Sequence, residues 1–111
     1  PNGDLYLRIK VRDHPRFERR GDDLYVEVPV DLFTALLGGT VLVPSLDGNL
    51  RLTVPPETQN GRVFRLRGRG MPKLHSPNER GDLYAKLKVV LPQNLSDREK
   101  ELFKELAKVR Q

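Results

Sequence analysis

The chain has 111 residues, enough for one compact domain with a modest core. With 37% hydrophobic and 32% charged residues it is too apolar for a disordered chain and too polar for a membrane protein, and a soluble chain is expected. No apolar run reaches the roughly 18 residues that span a bilayer, no stretch has the pattern of a secretion signal, and the absence of cysteine excludes disulfides and thiolate metal sites. The net charge of +5, from 20 basic and 15 acidic residues, favours acidic partners only weakly.

In chain order, Leu5, Leu7, Ile9 and Val11 alternate with polar residues, the period of a half-buried strand, and Leu24, Val26, Val28 and Val30 repeat the pattern. Asp31 is placed to cap a short helix from Leu32 to Leu37, which Gly38 and Gly39 would end. Val41 to Pro44 and Leu50 to Val54 read as the arms of a hairpin turning at Asp47-Gly48. After Arg62, Phe64 and Leu66 alternate with Arg65 and Arg67 as on a strand, with a bulge or bend at Gly68-Arg69-Gly70. Lys73 to Arg80 is polar and contains a proline, so it reads as a loop before a strand from Asp82 to Leu91. The tail is helical: Ser96 and Glu99 form a capping-box pair, and Leu102, Phe103, Leu106 and Val109 recur on one face. A helix of about four turns with such a stripe must pack on something, because alone it is marginal in water.

Residues 3–11 read GDLYLRIKV and residues 81–89 read GDLYAKLKV. Two similar strands one domain apart suggest a tandem array whose units each close on such a strand. Residues 1–12 would then be the last strand of a preceding unit.

The ordered set GDLYLRIKV, HPRFERRGDDLYVEVPV, ALLGG, VPSLDG, LTVPPETQNG, RLRGRGMP, ERGDLYAKLKV and LPQNLS resembles the second carboxy-terminal domain of the DnaJ family of heat-shock co-chaperones. The resemblance runs from Gly3 to about Leu106. It implies an all-β, two-layer sandwich-like domain with one short helix over residues 13–92, followed by a dimerisation helix over residues 93–111. It also implies a module that holds unfolded polypeptides for a DnaK-type ATPase chaperone, with no cofactor, no metal and no catalysis of its own. His14-Pro15-Arg16 departs at its third residue from the His-Pro-Asp motif of J-domains and reads as a stiff turn.

In the family's first domain a client groove lies between the strand ending in a Val-Pro-Val-like motif and the strand after the short helix. The matching positions here are Val26, Val28, Val41 and Val43, with Val41 standing where that first domain commonly has lysine. The same four positions also fit a plain core. Leu102, Phe103, Leu106 and Val109 are the expected homodimer contact, packing of the helix on its own sheet being the competing arrangement.

The alternative function is nucleic-acid binding through Arg62, Arg65, Arg67, Arg69 and Lys73. Aromatic residues make up only 6% of the chain and form no spaced stacking platform, which disfavours it. Enzymatic chemistry lacks its parts, since His14 and His75 lie far apart and no nucleophile-and-base or paired-carboxylate arrangement is recognisable.

Overall fold

The computed structural model describes residues 17–111. The expected strand from Leu5 to Val11 and the His14-Pro15-Arg16 turn lie outside the described residues. Ten elements follow in order: β1 (Glu18–Arg20), β2 (Asp23–Asp31), α1 (Leu32–Leu37), β3 (Gly39–Ser45), β4 (Gly48–Val54), β5 (Val63–Leu66), β6 (Pro72–Lys73), β7 (Ser76–Arg80), β8 (Leu83–Val90) and α2 (Asp97–Val109).

The main sheet has the order β1-β2-β8-β5, and β3-β4 and β6-β7 are separate two-stranded ribbons. The alternation read in β2 faces Leu24, Val26, Val28 and Val30 inward, and β8 does the same with Leu83, Ala85 and Leu87. These residues form one core with Ala35 of α1 and with Val43 and Val54 of the β3-β4 ribbon. The described residues are therefore all-β, with one short helix after β2 and one longer helix after β8.

α1 forms where the sequence places its caps. Thr34 N–H donates to the Asp31 carboxylate at 3.2 Å, and Gly38 leaves the helix at a φ of 89° that a side chain would resist. The carbonyls of Ala35 and Leu36 accept from the amides of Thr58 and Glu57 at 2.9 and 3.0 Å, so the Pro55-to-Gly61 loop finishes the helix.

Three local details differ from expectation. The hairpin turns at Leu46-Asp47, one residue early, and Gly48 (φ 114°) opens the return strand. Neither Leu46 nor Asp47 has positive φ, so this is not a primed turn, and the left-handed φ falls on the glycine that follows it. Lys73 to Arg80, expected as a loop, pairs as the β6-β7 ribbon, with a register shift that leaves Pro77 out of the pairing. Its polar sequence has no alternation because neither face is buried. β1 carried no strand signal for the same reason, all three of its residues being exposed.

β2 and β8 run parallel and in register, with Leu24 beside Leu83 and Tyr25 beside Tyr84. Asp-Leu-Tyr thus occurs at 23–25 and at 82–84 on adjacent strands. On the outer face the two tyrosine rings stack at 4.8 Å and 15°, and the Arg20 guanidinium lies 4.6 Å from the Tyr25 centroid.

Candidate functional site

α2 is built as its sequence requires. Glu99 N–H donates to Ser96 Oγ at 3.1 Å while Ser96 N–H donates to the Glu99 carboxylate at 2.7 Å, completing the capping box. That backbone bond, with the Ser96 side chain, holds the Glu99 carboxyl below its usual pKa. Yet no residue of the helix is buried. Leu102, Leu106 and Val109 remain 43%, 58% and 79% exposed. Phe103 is half-buried and stacks on Phe33 of α1 at 6.4 Å.

All four residues expected at a subunit contact line one open groove of about 470 Å³, together with Phe33, Glu99 and Glu105. Phe33 is the member that sequence reasoning missed. Its signal was present in LFTALL, where Phe33, Leu36 and Leu37 are all apolar and exposed while only Ala35 enters the core.

The four positions expected at a client groove sit differently. Val26, Val28 and Val43 are 4%, 2% and 0% exposed and belong to the core, and Val41 is half-buried against it. Their side chains meet each other, so an incoming peptide finds no pocket among the first three. This differs from the open groove expected for these residues. A period of two identifies the apolar face of a strand but does not tell whether that face is covered. What remains open is the backbone edge of the β3-β4 ribbon, which pairs with no further strand among the described residues.

The arginines near Gly68 are partly engaged within the fold. Arg65 Nε donates to Asp82 Oδ2 at 2.7 Å, Arg80 binds the Asp47 carboxylate and donates to the Gly70 carbonyl at 2.9 Å, and Arg62 lies over the Phe64 ring at 4.6 Å. Asp82 is the centre of this network. It accepts from Gly68 N–H at 3.0 Å, donates its own N–H to the Asp23 carboxylate at 2.8 Å and accepts from Leu24 N–H at 2.8 Å. The Gly68 amide and then Arg65 hold its carboxyl below the ordinary range, and Arg80 does the same for Asp47.

Around Asp82, Met71 N–H donates to Asp22 O, Gly81 N–H to Met71 O, and Gly70 N–H to Gly81 O, at 2.8 to 2.9 Å. A Cβ on Gly70 would stand 2.5 Å from Asp22 O and 2.7 Å from Asp82 N. RGRGMP, RGDDLY and ERGDLY are therefore three parts of one backbone knot joining the β5-β6 turn to the starts of β2 and β8. Among the described residues no group of three or more His, Cys, Asp or Glu side chains could hold a metal ion, and His75 sits exposed on the β6-β7 turn. No helix among them is long and apolar enough to cross a membrane.

Comparison with known proteins gives a consistent result. Residues 1–92 match the family described as DnaJ C terminal domain. Over 99% of its length the chain is 46% identical to the chaperone protein DnaJ of Dictyoglomus thermophilum. Over 98% of its length it is 47% identical to the chaperone protein DnaJ of Ruminiclostridium cellulolyticum. The chain spans 28% of the length of each of these relatives.

Proposed function

The chain belongs to the DnaJ C-terminal domain family, and from that premise we propose that it is the client-binding and dimerisation module of a DnaJ-type co-chaperone. In this role it is cytoplasmic and non-catalytic, holds unfolded polypeptides, and works with a DnaK-type chaperone through the full-length protein. Residues 13–92 supply the client-binding unit and residues 93–111 the pairing helix.

The observation that carries this proposal is the uncovered apolar face of α2, none of whose residues is buried. Burying Leu102, Phe103, Leu106 and Val109 against a second copy is worth roughly 1.5–3 kcal/mol per side chain before association costs. A two-fold contact would join two client-binding arms and raise avidity through effective concentration.

The test is sedimentation of the wild type against Phe103→Asp with Leu106→Asp. Wild type should sediment as a dimer and the double variant as a folded monomer, since the helix contributes no buried residue to its own domain. A monomeric wild type, or loss of the sheet in the variant, overturns the dimer assignment.

A further inference from the structure

Among the described residues, the β3-β4 ribbon leaves both of its long edges without a strand partner. Pro44 reveals which backbone groups point outward. Proline has no N–H, so it fits the ladder only where no ladder hydrogen bond is required of it, and here it sits opposite Asn49. Hydrogen-bonded and non-bonded pairs alternate along an antiparallel ribbon. Leu42 opposite Arg51 and Thr40 opposite Thr53 are therefore non-bonded pairs as well, with N–H and C=O facing away from the ribbon.

The two edges are not equivalent. β3 offers donors at Thr40 and Leu42 and then a gap at Pro44. β4 offers Asn49, Arg51 and Thr53 without interruption, and among the described residues none of the three makes a backbone bond outside its own ribbon. Along β4, Leu50 and Leu52 are half-buried on the core side and Arg51 is exposed on the other, in no ion pair among the described residues. An unpaired edge calls for an extended backbone, a half-covered leucine pair for apolar side chains, and an unpaired arginine for a carboxylate.

We propose that β4, and not the cleft between β2 and β3, is the strand to which an extended client segment adds, with apolar residues beside Leu50 and Leu52 and an acidic residue beside Arg51. The proposal rests on the client-binding role given above and specifies its edge and its sequence preference. Added this way, the segment extends the ribbon to three strands and covers the leucine pair.

The test is fluorescence anisotropy with a labelled nine-residue peptide of alternating leucine and threonine carrying a central aspartate, and with the same peptide N-methylated at alternate backbone positions in each of the two phases. Arg51→Pro and Thr53→Pro remove outward donors while sparing the ladder, as Pro44 already does, and Leu42→Pro is the matching change on β3. Circular dichroism checks the fold of each variant.

Wild type and Leu42→Pro should bind alike. Arg51→Pro, Thr53→Pro and one N-methyl phase should each lose at least tenfold. Should the proline variants fail to fold, the N-methyl pair on wild type still tests strand addition, and Arg51→Glu, which keeps the β4 backbone and reverses only the exposed charge, tests the edge by the same tenfold loss. Equal binding of both phases, or loss with Leu42→Pro and not with Arg51→Pro, overturns the β4 assignment and leaves client binding intact. No binding of any peptide by wild type overturns both.

Discussion

Replacing Gly81 by alanine tests whether the knot around Asp82 sets the stability of the domain. A Cβ at Gly81 would fall within 2.7 Å of the Asp23 carboxylate and still closer to the Asp22 carbonyl, and the latter is main chain that cannot swing aside. Relief requires the β8 lead-in to separate from the β2 lead-in. That motion lengthens Asp82 N–H to Asp23, Met71 N–H to Asp22 O and Gly81 N–H to Met71 O. At about 0.5–1.5 kcal/mol net for each bond, loss of two or three gives roughly 1–4.5 kcal/mol. For a domain of this size that corresponds to a fall in Tm of roughly 5–35 °C. Urea unfolding followed by circular dichroism measures it. Gly68→Ala is the comparison, because Gly68 has open space around it and only a φ of 72°, so its cost is the left-handed backbone term of about 1–2 kcal/mol. A Gly81→Ala protein within about 0.5 kcal/mol of wild type would refute the claim that close main-chain approach holds these strands together.

Leu87, fully buried in β8, should cost about 3–5 kcal/mol when cut to alanine, read from the urea midpoint at unchanged slope. Glu57 holds a φ of 60° and uses only its backbone to cap α1, so Glu57→Gly should stabilise by up to about 1 kcal/mol in thermal unfolding. The carboxyls of Asp31, Asp47, Asp82 and Glu99 all titrate below their ordinary values in the fold. Their contribution is therefore present above the unfolded pKa near 4 and is lost as pH falls through the lowered folded values. Stability should drop on acidification below about pH 4, and Asp82→Asn should make that drop shallower in urea titrations across pH. Binding to duplex DNA that is appreciable and falls steeply with salt would contradict the protein-binding role.

Much of the local structure was legible in the chain because the causes lie within a few residues of the effect. The alternation at Leu24 to Val30, the Asp31 cap with the Gly38 exit, and the Ser96 and Glu99 box each produced the expected element. The hairpin slipped by a residue because a glycine can end a turn as well as occupy it. β1 and the β6-β7 ribbon stayed hidden because they bury almost nothing, and burial is what writes a period into a sequence. Phe33 and Phe103 illustrate a further limit, for each apolar stripe was visible and their meeting was not.

Residue types and spacing alone determined a strand-rich chain with a short capped helix and an amphipathic tail. The tertiary structure decided that β2 and β8 lie parallel with their Asp-Leu-Tyr segments side by side, that Val26, Val28 and Val43 fill the core, and that α2 keeps its apolar face open. Neighbouring residues can specify a strand or a cap. Which distant strand covers an apolar face depends on closing a long loop and matching two surfaces at once, and that choice is made only when the whole chain packs.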